Sequence, residues 1–133
     1  MQTQIKRAVA MAKEVGHLFL ATADAEGSPH LAVVKDVGAG PGGSVLLTMW
    51  PCQSTFANLA KNPNVSLVIW RPEKDTGYQL CGKVEDIENV AVLNGYLPGL
   101  ENKKHYPQEE IKVRVRIQKV LNFQQAPHLD VKM

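Results

Sequence analysis

Three polar side chains, Gln53, Ser54 and Thr55, stand directly ahead of apolar residues at Phe56, Leu59 and Ala60. The i, i+3, i+4 spacing predicts a short helix with those three residues on one face. Asn62-Pro63 ends it, because the residue before a proline is pushed out of the helical region. Ser54 or Thr55 can cap the start of this helix, since a hydroxyl accepts from the free amides of the first turn. The same group can instead hold an anion, because free amides, helix dipole and hydroxyl donors converge on one point. On the residues alone both readings stand. Cys52 adjoins this group, but no His-Asp partner pattern supports a thiol mechanism, so it reads as a small buried residue. Lys35 lies in an apolar run; it is either a charge beside a ligand or the wet side of a half-buried strand. His17, His30, His105 and His128 show no metal-ligand spacing, and no metal is expected.

The elements around this group are mostly strands. Apolar runs at 44–50 and 65–70, each ending at a tryptophan, bracket the short helix and are rich in Val, Leu, Ile and Thr. Ahead of them, Ile5, Ala8, Val9, Ala12 and Val15 form one helical stripe, with Gly16 as the stop. Residues 17–22 read as a strand, Asp24-Ala25-Glu26-Gly27-Ser28 as a reversal, and 29–37 as the returning strand. Residues 38–43, with four glycines and Pro41, read as a loop. Beyond Trp70, 71–77 is a charged turn and 78–87 a strand. Gly82 inside that strand signals a bulge or a close backbone approach. Val90, Leu93, Asn94 and Leu97 fit a short helix over 88–97, stopped by Pro98-Gly99, and 101–110 reads as a polar loop. In 111–123, Ile111, Val113, Val115 and Ile117 alternate with Lys112, Arg114 and Arg116, the mark of a half-exposed strand. Residues 124–133 carry no pattern. The expected fold is mainly β (α+β): six strands in hairpin order, forming a closed or nearly closed antiparallel barrel with short flanking helices.

Composition bounds the function. The chain has 133 residues, 44% hydrophobic and 21% charged, as in a globular protein, and its length suits one domain over 1–133. A net charge of +2 is too small to suggest a nucleic-acid partner. No apolar run approaches the roughly 20 residues that cross a bilayer, so no membrane partner is expected. Residues 1–15 are too polar for a secretory signal. Cys52 and Cys81 make neither a disulfide framework nor a metal motif, which points to a reduced, cytoplasmic setting.

An ordered set of segments carries a family resemblance. It comprises Phe19-Leu20-Ala21-Thr22, Gly27-Ser28-Pro29-His30, a Val-rich strand ending in Lys35, and Leu47-Thr48. It continues through Gln53-Ser54-Thr55-Phe56-Ala57-Asn58-Leu59, Asn62-Pro63-Asn64-Val65-Ser66-Leu67 and Gly82-Lys83-Val84. In this order they resemble the pyridoxamine 5′-phosphate oxidase-like family of FMN-binding split β-barrels, most closely its small dimeric members. The resemblance implies that Val33, Val34 and Lys35 run along the isoalloxazine ring. It implies that Thr48 and Met49 flank the ring or ribityl chain, and that Gln53, Ser54, Thr55 and Asn58 hold the phosphate. It implies a flavin-dependent oxidoreductase acting on a small redox substrate, with no catalytic residue assigned. A flavin carrier, a deazaflavin binder, a haem binder or a barrel without cofactor are the alternatives. The larger oxidases have an arginine where this chain has His30, and a basic pair where it has Ser54-Thr55. Their further substrate-phosphate contacts have no counterpart here, which argues against pyridoxamine phosphate oxidation itself. A six-stranded barrel has little interior for a flavin. The ring is therefore expected on the outer wall, covered by a second copy, with Trp50 and Trp70 as core or interface anchors in a homodimer.

Overall fold

The computed structural model describes residues 1–93 and 108–125. It opens with helix α1 (Gln2–Val15), followed by strands β1 (Leu18–Ala23), β2 (Pro29–Val34), β3 (Asp36–Ala39) and β4 (Ser44–Met49). Helix α2 (Gln53–Lys61) comes next, and then β5 (Asn64–Arg71), a 3-10 turn (Pro72–Lys74), β6 (Thr76–Leu93) and β7 (Gln108–Asn122). Helix α1 buries Ile5, Ala8, Val9 and Ala12 and ends at Gly16. Gly16 has a φ of 98°, and its amide bonds to the Ala12 carbonyl, a conformation glycine adopts without a Cβ penalty. The β1–β2 hairpin closes on Asp24, whose Oδ1 accepts from the amides of Glu26 and Ser28 at 3.0 and 2.8 Å.

The strands form one antiparallel sheet in the order β2-β1-β5-β6-β7-β4-β3. Its two edge strands, β2 and β3, are consecutive in the chain and separated by Lys35 alone. A single residue cannot cross the width of a flat seven-stranded sheet, given nearly 5 Å between neighbouring strands. The sheet must curl until its edges meet, and β2 indeed contacts β4. The result is a barrel split along the β2/β3 seam.

Inward positions fill the barrel: Leu18 and Leu20 of β1, Val45 and Leu47 of β4, Leu67 and Ile69 of β5, and Ile111, Val113, Val115 and Ile117 of β7. On β7 the inward phase switches after Ile117, so that Val120 is buried while Lys119 is exposed. The cause is a register shift: Gly82 faces Ile117 and Cys81 faces Lys119, leaving Gln118 as the extra residue of a bulge. Gly82 is obligatory there, because a Cβ would lie 2.2 Å from the Arg116 carbonyl oxygen.

The structure corrects several sequence expectations. The described residues form seven strands rather than six, because the return strand expected over 29–37 breaks at Lys35 into β2 and β3. The glycine-rich loop is correspondingly shorter, since β3 pairs with β4 as far as Ala39↔Val45. The helix expected over 88–97 is strand as far as Leu93, and residues 94–97 lie outside the described residues. Pairing of Asn89, Ala91, Val92 and Leu93 with β7 overrides a weak helical pattern. Of the loop expected over 101–110, residues 108–110 belong to β7 and the rest lies outside the described residues. Among the described residues no helix is long and apolar enough to cross a membrane.

Candidate functional site

The seam of the barrel gathers the residues singled out from sequence. At one end the edge strands turn into each other, and Asp36 pairs with Thr48, so Lys35 lies beside the end of β4. Five residues back along β2, His30 faces the start of α2, its Nε2 3.3 Å from Cys52 Sγ. At about 3.3 Å per residue, some 16 Å of strand separates these two ends. The outward face of β2 between them is apolar: Val33 is 55% exposed and Leu31 65%. Val33 pairs with Phe19, itself exposed, and Leu31 with Ala21 on the neighbouring strand. Val34 points the other way, into the core, and Met49 is likewise buried at the end of β4.

Helix α2 differs in phase from the sequence expectation. It begins at Gln53, with Cys52 as its N-cap, and no side chain caps it by hydrogen bonding. Neither Ser54 nor Thr55 is the cap; both lie in the first turn. The Phe56 amide bonds to the Cys52 carbonyl at 3.0 Å and begins the helical ladder. The amides of Gln53, Ser54 and Thr55 precede that ladder and have no carbonyl acceptor within the helix; that of Thr55 is directed at the Cys52 side chain. The buried face is Thr55, Asn58 and Leu59, whereas Phe56 and Ala60 face outward. Polar side chains can occupy that face because each finds a partner. The Thr55 hydroxyl lies 3.2 Å from Cys52 Sγ, and Asn58 Nδ2 donates to Thr22 Oγ1 at 3.0 Å. Asn62 Nδ2 donates to the Asp24 carbonyl at 3.3 Å, so α2 is tied to the β1 hairpin at both its middle and its end. Gln53 and Ser54 remain exposed at the start.

Sequence reasoning missed the surroundings of Cys52. The residue is exposed rather than buried, and a histidine stands beside it. The Thr55 hydroxyl and amide, followed by the His30 imidazole, bring its pKa from 9.0 to about 7, against the opposing effect of burial. No local motif joins His30 to Cys52; they meet because β2 packs against α2. Trp50 and Trp70 are surface residues, not core, and Trp70 Nε1 donates to Asp75 Oδ1 at 3.1 Å. Among the described residues, no group of three His, Cys, Asp or Glu side chains could hold a metal ion. His105 and His128 lie outside those residues.

The remaining cationic stripe is partly spent on a surface ion-pair cluster. Glu85 is the extra residue of a second irregularity in the β6–β7 pairing, where Val84 faces Val115 and Asp86 faces Arg114. From there its carboxylate accepts from Arg116 Nε at 2.8 Å and Arg114 Nε at 3.1 Å. Lys112 on the same face is exposed and pairs across the strand with Thr48.

Comparison with known proteins places this geometry. The structure resembles HupZ from Group A Streptococcus, with TM-score 0.65 at 14% identity over 93% of this chain and 97% of that one. It also resembles an FMN-binding protein from Syntrophomonas wolfei, with TM-score 0.66 at 12% identity over 94% and 90% of the two chains. A structure described as an F420 reductase matches with TM-score 0.60 at 17% identity over 84% and 93%. At such identities the likeness is one of fold, the split barrel. No curated protein matches the sequence. A family model described as pyridoxamine 5′-phosphate oxidase, however, matches residues 5–121, which span α1 through β7 and every seam residue named above. By that match the chain belongs to the pyridoxamine 5′-phosphate oxidase family.

Proposed function

We propose that the chain binds FMN along the barrel seam and serves as a flavin-dependent oxidoreductase on a small redox substrate. The observation that carries this reading is the start of α2. It has first-turn amides without helical acceptors, no side-chain cap, and exposed Gln53 and Ser54. Such a terminus suits a phosphate. The ligand's phosphate lies there, held by the amides and side chains of Gln53 and Ser54, the Thr55 amide being directed at Cys52. Thr55 and Asn58 support the turn from its buried side. The ring lies toward the other end of β2, against Val33, the backbone of Val34 and Lys35, with Thr48 and Met49 at its flank. The 16 Å run of strand suits an extended ribityl phosphate joined to a tricyclic ring. When bound, the flavin supplies the redox chemistry, and the protein's part is to position it and tune its electronics. The likeness to the Syntrophomonas FMN-binding protein supports this choice of cofactor.

One observation favours a second reading, a deazaflavin. The first turn of α2 carries no Lys or Arg. A phosphate dianion draws more from charge-assisted bonds than a phosphodiester monoanion does. The likeness to an F420 reductase points the same way. Reconstitution of the purified protein decides between them: FMN and a deazaflavin have distinct visible spectra, and only the true ligand will saturate at stoichiometry.

The apolar outer wall formed by Phe19, Leu31 and Val33, with Trp50, Phe56 and Trp70 also exposed, supports a homodimer in which the second copy covers the ligand. Light scattering is expected to give about twice the 14.6 kDa chain mass. A monomer that binds the cofactor with full affinity contradicts this arrangement.

A further inference from the structure

Cys52 is not an isolated thiol. It is exposed at the head of α2, 3.3 Å from the imidazole of His30, which reaches it from a different element and from 22 residues away in sequence. Thr55, fully buried beneath it, has its hydroxyl 3.2 Å from the same sulfur. A nucleophile and a base within hydrogen-bond reach is the arrangement that activates a thiol, and here Thr55 holds the sulfur in place. Its place at a helix start favours the thiolate further. The chain provides its own comparison in Cys81, a free thiol half-buried on β6 opposite Ser66 and Lys119 of the neighbouring strands.

We propose that Cys52 and His30 form an activated thiol pair, and that Cys52 is the residue of this chain that reacts with hydroperoxides. As the thiol ionises, the imidazole of His30 is the base within reach of its proton. The thiolate sulfur attacks one oxygen of the peroxide; an S–O bond forms as the O–O bond breaks. Sulfur is oxidised by two electrons to the sulfenic acid. The peroxide is reduced, and its departing oxygen takes the proton from His30 and leaves as water or an alcohol. The step needs no flavin, although it uses the same end of α2 at which the phosphate is proposed to lie, so the test is made on protein free of ligand.

The ionisation behind it follows from the surroundings. With a pKa lowered from 9.0 to about 7 by the Thr55 hydroxyl and amide and then by His30, about half of Cys52 is thiolate at neutrality. His30 is the ionisable group that acts on it. An unperturbed thiol near 8.5 is about 3% ionised at pH 7. A less basic thiolate is a weaker nucleophile, which offsets part of the gain. Ionisation favours Cys52 about sixteenfold at pH 7, and the lost nucleophilicity reduces the net advantage to roughly three- to fourfold.

The test is site-resolved alkylation of the full chain by iodoacetamide across pH, read by mass spectrometry, alongside hydrogen peroxide treatment with dimedone trapping. Expected are a Cys52 midpoint near pH 7 and a dimedone adduct concentrated on Cys52 rather than on Cys81. His30→Gln, on the surface of β2, is expected to raise the Cys52 midpoint and deplete its adduct while leaving Cys81 unchanged. Circular dichroism will verify that this variant is folded. A second variant, Thr55→Ser, keeps the hydroxyl and is expected to keep the low midpoint. A wild-type midpoint above 8, a midpoint indifferent to His30→Gln, or equal adducts on both cysteines would overturn the proposal.

Discussion

Ser54 and Thr55 are adjacent hydroxyl residues that the fold assigns to opposite sides of one helical turn, and replacing each in turn separates ligand contact from support. Ser54 is exposed at the start of α2, whereas Thr55 is wholly buried with its hydroxyl on Cys52. Ser54→Ala removes one donor to a charged phosphate, worth about 1.5–3 kcal/mol. At 1.4 kcal/mol per tenfold, FMN affinity falls roughly ten- to a hundredfold. Riboflavin, which lacks the phosphate, is bound as before, and the melting temperature is nearly unchanged. Thr55→Ala acts differently. It removes a buried methyl and a paired hydroxyl and costs about 1–3 kcal/mol of stability. By loosening the turn it weakens FMN and riboflavin together. Fluorescence titration of both ligands against wild type and each variant gives the answer. Equal losses of FMN and riboflavin on Ser54→Ala would place the phosphate elsewhere and refute this reasoning.

Three further outcomes follow from particular contacts. Asn58→Ala breaks the buried bond to Thr22 and is expected to cost about 1–3 kcal/mol; a double-mutant cycle with Thr22→Val should show coupling above about 0.5 kcal/mol, and additive losses would contradict the contact. Gly82→Ala drives a Cβ against the Arg116 carbonyl and is expected to lower stability by about 1–3 kcal/mol in denaturant unfolding, whereas Gly38→Ala, which meets nothing within 4 Å, changes little. The Glu85 carboxyl is held below its ordinary value of 4.5, first by its hydrogen bond to Arg116 and then by that to Arg114. Its stabilising effect is therefore whole above pH 4.5 and is lost as pH falls through the lower folded value. Glu85→Gln should cost a small amount of stability at neutral pH, as expected of an exposed pair, and nothing once the wild-type carboxyl is protonated, so that the acid limb of the stability curve is flattened.

How far the sequence revealed this arrangement differs from element to element. The alternation of Ile111, Val113, Val115 and Ile117 was decisive because β7 is buried on one face and wet on the other, the case in which period two is clearest. Gly82 signalled its bulge because only a side chain's absence permits the approach of Arg116. The break at Lys35 was invisible: β2 and β3 are both extended and apolar, and their separation arises from pairing with different strands, a long-range property. In α2, the pattern of apolar residues pointed to Phe56, Leu59 and Ala60, whereas the buried face is Thr55, Asn58 and Leu59. Hydrophobicity misleads where polar side chains are buried with partners from other elements, as Asn58 is with Thr22. The residues of the proposed anion site stood out by their types and spacing. Their division into an exposed Ser54 and a buried Thr55 was not, and neither was the meeting of His30 with Cys52.

The central claim is that a phosphate-bearing flavin lies along β2 with its phosphate at α2. Calorimetric titration of the protein, freed of any ligand, with FMN and with riboflavin tests it most directly. The account predicts saturation by FMN at one per chain and binding of riboflavin weaker by at least about tenfold, the share of the phosphate contacts. Equal affinity for the two ligands, or no saturable binding of FMN, would contradict it.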